Sequence, residues 1–218
     1  MSLAHVTTAA LLEQLAARKP APAGGTAAAL TGASAAALTE MITAFALQRA
    51  PDAGVGTPAR PATGDGDGDG DERERLCTSH RRAGALRVRL LELAEHDTRS
   101  YQPVLDALAL APGDPRRGPA LLEACSEAAQ VPLEVALAAT EVAELAAACA
   151  SLPGNEQLLG DVSAAVILAE AATCAAVALV ELNLVRTPED PRVASAGALA
   201  RRAGEHRAAL ARELHRGH

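Results

Sequence analysis

Apolar side chains recur every seven residues between Glu72 and Leu110, and this repeat constrains the fold more than any other feature of the chain. A repeat of this period and extent is typical of a long helix that packs against other helices along its whole length. We therefore predict a helical bundle that contains one helix over residues 72–110. The first seam of the repeat is Leu76, Ala83, Leu90, Asp97 and Val104, and the companion seam is Leu86, Leu93 and Ser100.

Asp97 interrupts this apolar stripe near its middle, so we expect its carboxylate on the buried face of the helix. Burial disfavours the charged form and raises the pKa toward the range useful for general acid or base catalysis. The same position equally suits a carboxylate that bonds to a neighbouring helix for structure alone. Tyr101, four residues on, shares the side of Asp97, whereas His96 points elsewhere. Pro103 is expected to kink the helix one turn beyond Asp97.

The composition agrees with an all-α class. Ala and Leu dominate the apolar residues, and the chain has one Phe, one Tyr and no Trp, which suits closely packed helices and suits β-sheets poorly. With 218 residues, we predict a single domain over residues 1–218, an antiparallel bundle of about six helices, some long and kinked. The expected helices cover about residues 7–18, 26–48, 72–110, 119–151, 161–183 and 188–212.

A turn rich in Pro and Gly, residues 19–25, precedes the second helix. Two prolines exclude a helix here, and Gly24 and Gly25 let a ligand approach the bare backbone. Thr26 is expected to be the N-cap, so that the first free N–H groups of the helix point back into the turn and suit an anion or a polar ring edge. The turn also fits a plain connection between helices.

The second helix is built mostly from small residues, which predicts a close approach by another helix. We expect a second copy of the chain, related by a two-fold axis, to cover this surface, with packing inside the monomer as the alternative. The surface consists of Ala28, Ala29, Gly32, Ala33, Ala36 and Ala37.

Residues 50–71 are rich in Pro, Gly and Asp and end in an alternating Gly-Asp tract. Strict alternation lacks the varied ligands and the closing Glu of an EF-hand loop, so we interpret this stretch as a flexible, disordered insertion and not as a calcium site.

The net charge is -7 and the pI is about 5.4, which argues against general binding to nucleic acid or to anionic membranes. The four cysteines form no CxxC motif and are predicted to be buried free thiols, without a disulfide framework or a metal site. No signal-peptide pattern begins the chain, and Glu40, Asp161, Glu170 and Glu181 interrupt the apolar runs. We therefore expect a soluble, cytoplasmic protein with no membrane-spanning helix.

Asp161 and Asn183 mark the two ends of the fifth predicted helix. Asp161 follows Gly160 and fits a simple N-cap. Asn183 ends an apolar seam that begins at Val162, so its amide either links buried elements or reads the polar edge of a ligand.

Four segments match one known family in the same order: KPAPAGGTAAALTGASAAALTEMI, LLELAEHDTRSYQPVLDALALAP, AAQVPLEVA and GNEQLLGDVSAAVILAEAATCAAVALVELNL. On these segments the chain resembles the formiminotransferase-cyclodeaminase C-terminal family, which includes stand-alone methenyltetrahydrofolate cyclohydrolases. The resemblance implies an all-helical subunit that forms a homodimer, with a folate site made partly at the subunit interface. It implies no metal and no cofactor other than a tetrahydrofolate derivative as substrate.

The resemblance also implies roles for individual residues. Asp97 corresponds to the acidic residue of the family and is the expected catalytic group. Arg49 retains a positive charge where the family has GK(K/R)-Tyr, although Gln48, Ala50 and Pro51 depart from that motif, and Ala23 replaces a glycine of the PGGG turn. The expected substrate-binding residues are Pro22, Gly24 and Gly25 of the turn, Thr26, Arg49, Asp161 of the SDxG helix start, and the terminal Asn183.

Two reactions fit the resemblance equally. A cyclohydrolase adds water to the methenyl carbon between two folate nitrogens and opens the ring, whereas a cyclodeaminase closes that ring and expels ammonia from a formimino group. Both need proton transfer and stabilisation of a cationic carbon, and one carboxylate such as Asp97 suits both. The departures from the family motifs leave a second hypothesis, a catalytically degenerate folate-binding or dimeric assembly module. A ferritin-type bundle is excluded because the chain lacks Glu-x-x-His pairs.

Overall fold

A computed structural model of the chain describes residues 6–49, 67–152 and 155–216. Within these ranges it contains eight α-helices, two short 3₁₀ turns and no strand, so the predicted all-α class is confirmed. The helices are α1 (Thr8–Ala16), α2 (Gly24–Arg49), α3 (Asp67–Ser100), α4 (Gln102–Ala109), α5 (Arg117–Ala128), α6 (Gln130–Ala148), α7 (Leu159–Asn183) and α8 (Pro191–Arg216).

Two predicted helices are each divided at one residue. Tyr101 separates α3 from α4, and Ala129 separates α5 from α6. Pro103 and Pro132 lie shortly after these breaks, and a proline has no N–H to donate to the carbonyl four residues earlier. The expected bends are therefore breaks in the helix, and if each divided pair is counted as one bent segment the bundle has the predicted six.

α2 runs antiparallel to α3 and to α7, because the start of α2 lies beside the ends of both helices. α2 packs against α3 and α7. α6 contacts α2, α3 and α7, and α8 packs against α6 and α7. One end of the bundle, which we call the Asp97 end, gathers the start of α2 at Gly24, the end of α3 at Asp97 and the end of α7 at Asn183. The other end, which we call the Arg49 end, carries the C-terminus of α2 and the N-terminus of α7 at Asp161.

The apolar repeat of the third predicted helix lies in the core as expected. Asp97 and Ser100 of the two seams are half-buried, and the remaining members are buried: Leu76, Ala83, Leu86, Leu90, Leu93 and Val104. This agreement follows from the period, because it determines which residues share a face of the helix.

The prediction that a second copy of the chain covers the small-residue surface of α2 is wrong, because other helices of the same subunit bury this surface. A Cβ added at Gly32 would lie 3.3 Å from both δ-methyl carbons of Leu90 and 3.5 Å from Cβ of Ala172. Gly32 therefore lets α3 and α7 approach α2 closely. Ala37 alone of the six residues is exposed.

Three further expectations are corrected. α3 begins at Asp67, so residues 67–71 of the predicted insertion are helical, while residues 50–66 lie outside the described residues. Cys149 is buried, which raises the pKa of its thiol to about 11, but Cys174 is exposed; all four thiols are free.

α2 and α7 are long and apolar enough to cross a membrane by length and composition, contrary to the expectation that no such helix exists. Core helices of bundles meet the same criteria, and these two helices pack against each other.

We predict that Gly32→Leu lowers the free energy of unfolding by roughly 1–3 kcal/mol, because the added side chain overpacks the contact with Leu90 and Ala172. Urea denaturation measures the change. Gly160→Leu is the matched control, because a Cβ at that helical glycine would meet nothing within 4 Å. Equal stability of the two variants would contradict the close approach of α3 and α7 at Gly32.

Candidate active site

A cavity of about 350 Å³ lies at the Asp97 end of the bundle. Its size is near the lower limit for small-molecule pockets. The turn before α2, the end of α3, the α5–α6 junction and the end of α7 each supply part of its wall. The lining residues are Pro20, Ala21, Ala23, Gly24, Gly25, Asp97, Ser100, Tyr101, Ala128, Pro132, Leu179, Leu182 and Asn183.

A wider groove of about 540 Å³ lies between α3, α6 and α8. Its charged side chains form ion pairs with one another, namely Arg82 with Glu141, Arg89 with Glu134 and Arg202 with Glu144. The smaller cavity holds a carboxylate with no cationic side chain among its lining residues, so we regard it as the candidate site.

The Asp97 carboxylate is bound to the first turn of α2. The hydroxyl of Thr26 donates a hydrogen bond of 2.8 Å to Oδ2, and the backbone N–H of Thr26 also donates to the carboxylate. Thr26 is fully buried. It is the third residue of α2, so the expectation that it caps the helix is wrong, and its hydroxyl fixes Asp97.

Burial raises the pKa of Asp97 above its ordinary value. The two hydrogen bonds from Thr26 and the nearby His96, which is exposed, act in the opposite direction but do not cancel this effect. Because the raised pKa means that the native state binds the proton more tightly than the unfolded state, the stabilising contribution of the protonated form is complete below the ordinary pKa. It is lost as the pH rises through the raised pKa. The ionised form of Asp97 is therefore less favourable in the folded protein than in the unfolded chain.

Gly24 and Gly25, which were predicted to lie in the turn, are the first two residues of α2, and their surroundings differ. A Cβ added at Gly25 would lie 2.0 Å from Oδ1 of Asp97, so the carboxylate occupies the space that any side chain would fill. A Cβ at Gly24 would lie 4.0 Å from Leu179, an ordinary van der Waals contact. Gly25 is therefore required by the close approach of Asp97, whereas Gly24 forms an open part of the cavity wall.

Four of the predicted site residues line the cavity together: Gly24, Gly25, Asp97 and Asn183. Thr26 lies directly behind Asp97. Tyr101, Ser100 and Pro132 also line the cavity but were not among the predicted site residues. The four-residue spacing between Asp97 and Tyr101 indicated that the two side chains share a side of the helix. No feature of the sequence indicated that Pro132 lines the cavity.

Arg49 and Asp161 lie away from this cavity. Arg49 is 24 residues beyond Gly25 on the same helix, which corresponds to about 36 Å. Its Nη1 donates to Oδ1 of the buried Asn155 at 3.3 Å, and Nδ2 of Asn155 donates to the carbonyl of Cys149 at 3.1 Å. Pro22 is half-buried in the turn but does not line the cavity. A single subunit thus brings together only part of the predicted set.

Among the described residues, no three His, Cys, Asp or Glu side chains meet as metal ligands would. The lining of the cavity combines the Asp97 carboxyl with the polar side chains of Ser100, Tyr101 and Asn183, and the other lining residues are apolar or glycine.

We predict that Gly25→Ala lowers the melting temperature and breaks the bond between Thr26 and Asp97, because the new methyl group and the carboxylate would occupy the same space. Gly24→Ala is the matched control and should remain close to wild type in stability. Thermal unfolding followed by circular dichroism compares the two variants. A Gly25→Ala protein as stable as Gly24→Ala would show that Asp97 does not need this approach.

The model of the formiminotransferase-cyclodeaminase family matches residues 7–200. A solved structure that matches is formiminotetrahydrofolate cyclodeaminase from Thermotoga maritima, with a TM-score of 0.73 over 97% of each chain and 23% sequence identity. At this identity the likeness shows a shared fold. The comparison with curated proteins gives no match. Because the family match extends over most of the sequence, this chain belongs to the formiminotransferase-cyclodeaminase family.

Proposed function

We propose that this chain is a folate-dependent one-carbon enzyme of the cyclodeaminase or cyclohydrolase type. The observation that carries the proposal is the Asp97 carboxyl, which has a raised pKa and lines a cavity of about 350 Å³. A carboxyl with this kind of perturbation in a pocket is a candidate for general acid or base catalysis. The family membership supplies the substrate class, a tetrahydrofolate derivative, which acts as substrate with no further cofactor.

In the cyclodeaminase direction, the second folate nitrogen attacks the formimino carbon and forms a tetrahedral intermediate. Asp97 accepts the proton of the attacking nitrogen and delivers it to the departing amino group, so that ammonia leaves and the methenyl bridge forms. In the cyclohydrolase direction, Asp97 accepts a proton from the attacking water as the hydroxyl adds to the methenyl carbon. Asp97 then returns this proton to one ring nitrogen as its bond to the carbon breaks, and the hydroxyl proton leaves to solvent as the formyl carbonyl forms. Both routes regenerate the carboxylate.

The charge of the site suits both reactions. The reacting carbon is part of a cationic amidinium, and Asp97 is the one charged side chain among the described residues that line the cavity. A carboxylate in a partly buried site attracts such a cation more strongly than it would in water.

We predict that Asp97→Asn lowers kcat about a hundredfold or more, because the amide cannot transfer the proton while its oxygen still accepts from Thr26. Methenyl absorbance with formiminotetrahydrofolate and with methenyltetrahydrofolate measures both activities and identifies the reaction. Asp106→Asn is the matched control, since Asp106 is exposed and lies outside the cavity. Circular dichroism of Asp97→Asn tests whether the variant is folded, so that the loss of activity is assigned to proton transfer only for a folded protein.

Activity of Asp97→Asn within about twofold of wild type would contradict the catalytic role. Calorimetry with a reduced folate separates the remaining alternatives. Binding without turnover in the wild type would indicate a catalytically degenerate folate-binding module, and no binding would indicate an assembly module.

The proposal includes a homodimer, which is supported by an apolar outer face on α2 and α7. Phe45, Ile167 and Leu182 are 42%, 53% and 68% exposed on these two neighbouring helices. A second copy that covers this face around a two-fold axis would remove these side chains from water. With the helices of the two copies antiparallel, Arg49 and Asp161 of one copy would approach the cavity of the other, where the Arg49 guanidinium would meet the anionic end of the folate.

A complementation experiment tests this shared site. Asp97→Asn and Arg49→Ala homodimers should each have low activity, and after mixing and subunit exchange about a quarter of the wild-type activity should return, because half of the dimers carry one intact site. Light scattering confirms the oligomeric state. A monomeric wild type, or a mixture no more active than its components, would contradict the shared site.

A further inference from the structure

Tyr101 is the only tyrosine of a chain that has one phenylalanine and no tryptophan. It lies at the break between α3 and α4, with φ -89° and ψ -10°. Its carbonyl accepts a hydrogen bond of 3.2 Å from the N–H of Leu105, so the next helix begins at once and the backbone is fixed on both sides. The ring is 39% exposed and lines the cavity.

Tyr101 carries the only aromatic ring among the described residues that line the cavity. The other large lining side chains are aliphatic or proline, and the lining residues include a single charged group, Asp97. Asp97 lies four residues earlier in the chain, so Tyr101 projects from the adjacent turn on the same side. One wall of the cavity therefore carries an aromatic side chain and a carboxylate on successive turns of the chain.

We propose that Tyr101 stacks on the bicyclic ring of the substrate and directs the edge of that ring toward Asp97. This inference rests on the proposed function and makes Tyr101 a binding and specificity residue for substrates with a flat aromatic ring, here the pyrimidine half of the reduced bicycle. An aromatic face attracts both flat π systems and delocalised cations. The amidinium of the substrate is a delocalised cation of this kind, so the ring and the carboxylate would both favour its binding.

The kinetic test uses two substitutions at this position. Tyr101→Leu removes the ring and should raise KM about three- to tenfold with a smaller effect on kcat, whereas Tyr101→Phe keeps the ring and should stay within about twofold of wild type. Leu108→Ala is the matched control, since Leu108 is 44% exposed on α4 and does not line the cavity. Equal KM values for Tyr101→Leu and wild type would overturn the proposal.

A second measurement does not depend on turnover. Protein labelled with ¹³C-tyrosine gives aromatic signals from Tyr101 alone, and 5-formyltetrahydrofolate, a stable reduced folate, serves as the probe. A saturable ring-current shift, together with weaker calorimetric binding to Tyr101→Leu than to wild type, is the expected result. If the probe binds both proteins equally and the signals do not move, the role of Tyr101 is wrong while the folate function stands. If wild type does not bind the probe, both are wrong.

Discussion

The candidate site depends on one contact, the bond between the Asp97 carboxylate and the first turn of α2. Thr26 donates to Oδ2 at 2.8 Å, and Oδ1 fills the space that a side chain at Gly25 would occupy. This contact requires a glycine at the start of α2 and an antiparallel α3 whose apolar seam reaches the same end of the bundle. It holds the carboxyl in a defined position while burial keeps its pKa raised. A carboxyl that is held in place and has a raised pKa suits the proton transfer in both proposed reactions.

Small side chains on α2 allow the close helix packing that brings Asp97 to the first turn of α2. Gly32 and the alanines of α2 let α3 and α7 approach on two sides, and the buried Ala172 of α7 faces Gly32 directly. α2 and α7 have 26 and 25 residues, so the two ends of each helix are far apart. A single subunit therefore holds Asp97 and Asn183 at one end and Arg49 and Asp161 at the other. The length of the helices, and not any loop, separates the two halves of the predicted site.

The sequence predicted those features that depend on period and on backbone chemistry. The seven-residue repeat identified the buried seam and placed Asp97 within it, and the paired glycines identified the turn that forms the cavity wall. The sequence could not show which other helix each apolar helix face would contact. α2 is small and apolar on nearly every side, so its pattern did not distinguish burial against α3 from burial against a second copy. For the same reason Thr26 was interpreted as a cap, since its bond to a residue 71 positions later has no local signal.

The raised pKa of Asp97 couples the occupancy of the cavity to proton binding. In the free protein, burial disfavours the carboxylate. A cationic ligand beside Asp97 would favour the carboxylate and lower its pKa, and by linkage the ionised form would bind that ligand more tightly by the same free energy. The unfavourable charge of the empty cavity is thus compensated when a substrate cation is present. A neutral flat ligand would gain only the proposed stacking on Tyr101 without this coupling, so in the proposed site the carboxylate would discriminate by charge and the aromatic ring by shape.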